Sequence, residues 1–439
     1  MTEHSPDPAD QDGRIGTREA ARRLGVKPET LYAYVSRGLL SSRRARGGRG
    51  STFDPAEIAR LARRGRPASA GDRDAEDTGR AGGAAERGGA GGWGGGVRTS
   101  ITLIDGDRYY FRGVDATALA EAYSFEEVAE WLWTGVPRRG TRFTAPPQAL
   151  AAARRVAAAL PAGSGPMDRI RVAVIAAASV DPLRFDLSRD AVLGSARALI
   201  PTLVDALPPA GGRAPGGAGP LAVRLWDRLT TAPRDEAALR ALDAALALLI
   251  DHDLAASTLA ARVAASARAH PYAVVSAALG ALDGPLHGQA SALAHRMLAD
   301  VLERGAAPVV ADHLRAGRPI PGLGHRLYED EDPRARVLFG LLDRVPAAAR
   351  ALAAARDLVA TAARHSALRP NVDLSLGVLT LSSAMPPEAG ETVFAVSRTA
   401  GWIAHALEEY GEQPLRMRPS GAYDGPRPAQ PLPLAPPPA

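Results

Sequence analysis

The stretch Gly280-Ala-Leu-Asp-Gly-Pro-Leu-His-Gly-Gln-Ala290 decides how this chain is read. Apolar helical sequence runs on both sides of it. The Gly-Pro break between them puts His287 at an irregular turn, where a fold can hold an imidazole by its backbone and aim it into a cleft. Pro319-Ile-Pro-Gly-Leu-Gly-His325 repeats the arrangement about one helical hairpin later, and Asn371-Val-Asp373 sets a carboxylate beside an apolar segment. Two imidazoles and one carboxylate, each at an element end, point to proton-transfer chemistry. One such histidine alone would read as a cap or a packed ring. Three sites in order would not.

Outward from this stretch, helical patterns dominate. Ser124-Phe-Glu-Glu-Val-Ala-Glu-Trp-Leu-Trp133 opens with a capping box, Ser124 with Glu127, and residues 236–250 form another amphipathic run. Ahead of them, Ser100-Ile-Thr-Leu-Ile-Asp-Gly-Asp-Arg-Tyr-Tyr-Phe-Arg-Gly113 alternates and turns at Asp105-Gly106, which predicts a small hairpin. The Pro/Gly-rich piece Leu207 to Pro220 predicts a surface loop. The expected fold class is mainly α.

Length and charge set the domain plan. A chain of 439 residues is long enough for two or three domains. The net charge of +5 is uneven: residues 13–66 carry fourteen Lys or Arg against four Asp or Glu, and the rest sums to −5. The basicity therefore belongs to one small N-terminal unit. The chain has no cysteine, which excludes disulfides, thiolate metal sites and a Cys nucleophile. The start, Met-Thr-Glu-His-Ser-Pro-Asp, has no apolar signal core, and every apolar run breaks before about 18 residues. A cytoplasmic protein with no membrane span is expected.

Within residues 13–66, Thr17 reads as an N-cap, Ala20, Ala21 and Leu24 as an apolar stripe, and Gly25 as a stop. Pro28 can open a second helix, Glu29 to Arg37, ended by Gly38. This is a helix-turn-helix. Leu39-Leu40, the Arg43-Arg-Ala-Arg-Gly-Gly-Arg49 run and Phe53-Asp-Pro-Ala-Glu-Ile-Ala-Arg-Leu61 resemble the wing and third helix of MerR-like or excisionase-like DNA-binding domains. The second helix would offer Thr30, Tyr32 and Arg37 to a major groove, with Arg43, Arg44 and Arg46 along phosphates. Residues 67–97 are Ala, Gly, Asp and Arg with little else, a flexible linker. A Gly-x-Gly-x-x-Gly match inside it has no strand before it and no helix after it, so it carries no nucleotide-binding weight. Residues 421–439 read as a disordered Pro-rich tail.

Residues 98–420 resemble the citrate synthase family. The resemblance rests on Ser100-Ile-Thr-Leu-Ile-Asp-Gly106, Gly284-Pro-Leu-His-Gly288, Pro321-Gly-Leu-Gly-His325, Asp332-Pro-Arg334, Asn371-Val-Asp373 and Val396-Ser-Arg398, in that family's order and spacing. It implies a large helical domain with a small mobile helical subdomain at about residues 255–360. It also implies the tricarboxylic acid cycle reaction: condensation of acetyl-CoA with oxaloacetate, then thioester hydrolysis to citrate and CoA. Carried over by position, Asp373 is the base, His287 the donor to the enol oxygen, and His325 the assistant at the keto oxygen. His252, Arg334 and Arg398 match substrate-binding positions, and Arg418 matches the arginine supplied by the neighbouring subunit of a homodimer. Arg318, Pro321, Gly322, Leu323 and Gly324 match the CoA loop, with Arg315, Arg318 and Arg326 as phosphate candidates. CoA enters as co-substrate; no cofactor is bound permanently. A metal site finds no support, since His287 and His295 lie eight apart without a carboxylate between them.

The chain departs from the family's pattern at Leu249, Asp253, Gln289-Ala-Ser291 and Leu374. These changes alter the pocket rather than the acid-base set. Two rivals stay open. Propionyl-CoA could replace acetyl-CoA and give 2-methylcitrate. Alternatively, the synthase-like body could sense CoA esters or oxaloacetate for a DNA-binding regulator.

Overall fold

The computed structural model describes residues 15–24, 31, 35, 40–44, 51–55, 57–58, 97–212, 219–284, 287–328, 330–365, 367–420 and 422–426. Thr30, Tyr32, Arg37 and Arg46, the linker up to residue 96 and the tail beyond residue 426 lie outside them. The chain divides into two units, residues 1–87 and 88–439.

In the first unit, β1 (Ile15–Gly16) leads into α1 (Thr17–Leu24), and β2 (Ser42–Arg44) pairs with β3 (Ser51–Phe53). The sheet order is β1-β3-β2, all antiparallel, with Ile15 and Ser42 both opposite Phe53. Ala20 and Ala21 of the predicted stripe are buried with Ile15, Leu31, Leu40, Phe53 and Ile58, and Leu24 packs against them. The N-cap expectation for Thr17 is corrected. Thr17 is the first helical residue, and its hydroxyl donates to the Ser51 carbonyl at 3.1 Å, so it ties helix to sheet. Arg43 and Arg44 sit on β2, paired with Thr52 and Ser51, and Arg43 is exposed.

The second unit opens with the expected hairpin: β4 (Thr102–Asp105), β5 (Arg108–Phe111) and β6 (Val114–Asp115) form an antiparallel sheet in that order. Helices follow: α2 (Ala116–Ala122), α3 (Phe125–Thr134), α4 (Pro147–Ala159), α5 (Pro166–Ser179), α6 (Arg189–Ala206), α7 (Leu221–Leu229) and α8 (Glu236–Leu248). Next come α9 (Ala256–Ser266), α10 (Pro271–Leu282), α11 (Ala290–Arg304), α12 (Ala306–Arg315), α13 (Pro333–Leu342), α14 (Ala349–Ala362), α15 (Val372–Ser382) and α16 (Ala389–Tyr410).

Local chemistry sets the ends of these helices. The capping box at α3 forms on both sides: Ser124 accepts from the Glu127 N–H and the Glu127 carboxylate accepts from the Ser124 N–H. Asp235 caps α8, Asp332 caps α13 ahead of Pro333, and Asn371 caps α15. The α8 pattern stops at Leu248, two residues short of the sequence reading, and Leu249 forms its C-cap.

α16 runs 22 residues, about 33 Å, through the core beside the fully buried Trp133 and Trp402. Gly401 makes its path possible: a Cβ there would lie 2.0 Å from the Ile250 carbonyl oxygen. That close approach brings Arg398, one turn earlier, against the segment after α8.

Candidate active site

A hollow of about 350 Å³ is lined by His252, His287, His325, Arg334, Asp373 and Arg398, along with Phe394 and Arg326. His252 comes from the loop after α8, His287 from the α10–α11 turn, and His325 from the loop before α13. Arg334 stands in the first turn of α13, Asp373 in the first turn of α15, and Arg398 midway along α16. Residues 146 positions apart in sequence thus meet because short helix ends converge on one point.

The two guanidinium groups are held differently. Arg334 donates from Nε to Asp332 Oδ1 at 2.9 Å and from Nη2 to Oδ2 at 2.8 Å, a planar bidentate pair. The same carboxylate accepts from the Val372 N–H at 2.9 Å, so Asp332 joins Arg334 to the start of α15. Arg398 donates from Nε to the Leu249 carbonyl at 2.8 Å, and its Nη1 is buried without a hydrogen-bond partner. Burial pushes its pKa down to about 10. A desolvated guanidinium with an unmade N–H is costly unless an anion completes it.

The histidines are neutral. Burial, with Arg398 beside His287 and Arg334 beside His325, pulls both imidazoles down to about 4. His252 is driven well below the usual range by burial, then by Arg334, Arg398 and His325.

Hydrogen bonds select the tautomers. Trp402 Nε1–H donates to Ser257 Oγ at 3.3 Å, and Ser257 Oγ lies 2.8 Å from His287 Nε2. The serine hydroxyl then gives its proton to Nε2, which leaves Nδ1–H as the donor of His287. His325 Nδ1 accepts from the Leu327 N–H at 3.0 Å, so its proton sits on Nε2, which faces Arg334 Nη2 at 3.2 Å. Two donors face each other there. A substrate oxygen between them would satisfy both.

Asp373 is the acid-base group of the set. Its backbone N–H is capped by Asn371 Oδ1 at 3.0 Å, which leaves the carboxylate unspent on capping. Burial raises its pKa to about 6, with Asp332 adding to the shift and Arg334 opposing it. A carboxylate tuned towards neutrality is what proton abstraction from carbon requires.

Arg418 is not brought to this hollow within the chain. It is exposed, on a segment strapped down by the Leu415 N–H to Ser266 carbonyl bond at 2.7 Å and by the bidentate Arg416–Glu409 pair. The loop carrying Pro321, Gly322, Leu323 and Gly324 lies against residues 369–371. The Gly324 N–H donates to the Arg369 carbonyl at 2.7 Å, the Asn371 N–H to the Gly322 carbonyl at 2.9 Å, and Asn371 Nδ2 to the Gly324 carbonyl at 2.8 Å. Its glycines therefore set the position of α15. Of the phosphate candidates, Arg315 is paired with Asp312 at 2.9 Å, Arg318 is exposed, and Arg326 lines the hollow.

Sequence reasoning missed Ser257, Trp402, Asp332 as an anchor, and Tyr328. Tyr328, three residues after His325, touches His252 and His325 at once. Only the Asp332-Pro-Arg spacing carried a local signal. The others act through contacts that no motif encodes.

Residues 94–420 match the family model "Citrate synthase, C-terminal domain", and residues 17–64 match "MerR HTH family regulatory protein". Among curated proteins, the Haloferax volcanii citrate synthase is 37% identical over 196 residues, 44% of this chain and 52% of its own length. A putative citrate synthase 2 from Mycobacterium bovis is 40% identical over 199 residues, 44% of this chain and 53% of its own. The chain spans about half the length of the curated relatives it matches. Among solved structures, citrate synthase from Thermotoga maritima has a TM-score of 0.64 at 29% identity, over 77% of this chain and 96% of that one. A Thermoplasma acidophilum citrate synthase, solved with carboxymethyl coenzyme A and oxaloacetate, has a TM-score of 0.63 at 25% identity, over 77% of this chain and 96% of that one.

Proposed function

Because the chain belongs to the citrate synthase family, we propose that it condenses an acyl-CoA with oxaloacetate and hydrolyses the product thioester. One observation carries this reading. A raised carboxylate, neutral imidazoles of defined tautomer and a buried guanidinium with an unmade N–H line one hollow.

Asp373 takes a proton from the carbon next to the thioester carbonyl, while His287 Nδ1–H supports the developing enol oxygen. The enol carbon attacks the keto carbon of oxaloacetate, and His325 Nε2–H supplies the proton to its oxygen. Water then cleaves the thioester and releases CoA. Arg334 and Arg398 take the two oxaloacetate carboxylates, where bidentate donors are favoured over point charges. His252 is the third substrate contact. The Pro321–Gly324 loop takes CoA, with Arg318 at its edge.

We place the reaction in the tricarboxylic acid cycle and in the cytoplasm. Among the described residues no helix is long and apolar enough to cross a membrane. The active form is a homodimer in which Arg418 enters the neighbouring hollow. The exposed Ile175, Leu183, Phe185 and Leu293 favour a partner, since large apolar side chains at 64%, 70%, 67% and 46% exposure gain from being covered. The test is thiol release from acetyl-CoA and propionyl-CoA in the presence of oxaloacetate. Turnover that Asp373→Ala abolishes supports the assignment, and the preferred ester decides between citrate and 2-methylcitrate. No thiol from either ester removes the enzyme and leaves the regulator.

The MerR-type match over residues 17–64 favours a second activity, DNA binding, alongside the first. Thr30, Tyr32 and Arg37 would read bases, and Arg43, Arg44 and Arg46 phosphates. Binding should weaken steeply with salt, as phosphate contacts release counterions, and should vanish when residues 1–66 are removed. Equal binding by the truncated protein overturns it.

A further inference from the structure

Tyr328 is 6% exposed, and its hydroxyl oxygen lies 2.6 Å from His252 Nε2. Its ring sits 4.7 Å from the His325 ring at a tilt of 34°, and His252 meets His325 edge to face at 5.1 Å. Arg334 lies 5.9 Å from the centre of the tyrosine ring. Three rings and a guanidinium thus form one packed cluster at the wall of the hollow, with Tyr328 as the only member that contacts both histidines.

The hydrogen-bond inventory decides what the hydroxyl does. A neutral imidazole has one N–H and one lone pair, and a phenol has a single O–H. Burial holds the Tyr328 proton on, since its pKa is raised, and strips the proton from His252. His252 is also bonded to its own backbone in a way that favours an N–H at the other nitrogen. The tyrosine O–H therefore donates, and His252 Nε2 accepts.

We propose that Tyr328 is a positioning residue: its hydroxyl fixes the tautomer and ring plane of His252, and its ring holds His325 at the angle from which it meets the oxo acid. The kinetic consequence rests on the condensation reading. The tautomer assignment does not. Loss of the hydroxyl alone frees His252 to flip, whereas loss of the ring also loosens His325. The first change weakens oxo-acid binding; the second also slows the chemistry.

The test uses the full chain labelled with ¹⁵N-histidine, with the His252 signals assigned by their loss in His252→Gln. In the wild type, His252 should show a hydrogen-bonded, proton-free Nε2, and Tyr328→Phe should turn it into a mixture of tautomers. In steady state, Tyr328→Phe should raise KM for oxaloacetate about fivefold, the worth of one hydrogen bond, with kcat within about twofold. Tyr328→Leu should lower kcat by about tenfold or more as well. A His252 signal unmoved by Tyr328→Phe overturns the proposal. So does a fall in KM, which would make the hydroxyl a competitor of the substrate. Wild-type protein that releases no thiol removes the condensation reading and leaves the nitrogen spectra to decide the tautomer.

Discussion

Gly322 faces Leu374 so closely that a Cβ on the glycine would lie 2.7 Å from the Cβ of the leucine. The glycine has φ +78°, a left-handed conformation that side chains rarely adopt. Leu374 follows Asp373, so this contact sets how deeply the proposed base enters the hollow. Gly322→Ala should cost about 2–4 kcal/mol from backbone strain and overpacking. Thermal unfolding should show the loss, and kcat should fall with it. A variant with wild-type stability and turnover would show that the loop yields freely.

The rate should depend on pH through Asp373. Its pKa is raised to about 6 by burial, and protonation removes the base, so activity is lost as pH falls through 6. His287 and His325 stay neutral down to about 4 and add no limb between pH 5 and 8. A plot of log kcat/KM for the acyl-CoA should rise with unit slope below about 6 and then flatten. An acid limb near 4 would mean that the carboxylate is solvated as in water.

Arg398 should matter far more to binding than to folding. Its Nη1 is buried and unbonded, so removing the charge relieves a desolvation cost that substrate alone offsets. Arg398→Met should raise KM for oxaloacetate on the order of 10- to 100-fold, as expected for a charge-assisted hydrogen bond. Its Tm should stay level or rise. A collapse in Tm with KM unchanged would make the guanidinium a structural group.

Glu391 carries the reverse linkage. It is 6% exposed, and its Oε1 is buried without a partner. Burial, then the like charges of Asp283, Glu388 and Asp168, raises its pKa to about 7. A carboxyl raised on folding binds its proton more tightly when folded, so stability falls as pH rises from the unfolded value towards 7. Glu391→Gln removes that loss. The variant should match the wild type near pH 5 and exceed it by about 1–2 kcal/mol at pH 8, allowing for screening by water. Denaturant unfolding at the two pH values measures the difference, and an equal gap at both would refute the linkage.

How much could be read in advance varies along the chain. Turn and cap chemistry is local, so the hairpin at Asp105-Gly106, the capping box at Ser124 and Glu127 and the helix ends at Asp332 and Asn371 were legible from neighbouring residues. Thr17 was not: its hydroxyl turns to Ser51, 34 residues away. Side-chain identity alone marked His252, His287, His325, Arg334, Asp373 and Arg398, because acid-base and anion-binding chemistry draws on few residue types.

Tertiary structure alone decided their electrical state. A pKa near 6 for Asp373, neutral rings at His287 and His325 and the unpaired Nη1 of Arg398 follow from burial among helices far apart in sequence. The tautomers depend likewise on Ser257, Trp402 and Leu327 as they come to lie in space. Amino-acid order by itself determined which groups were available and where helices begin. Desolvation and the direction of each hydrogen bond belong to the packed chain, because both depend on neighbours that only folding supplies.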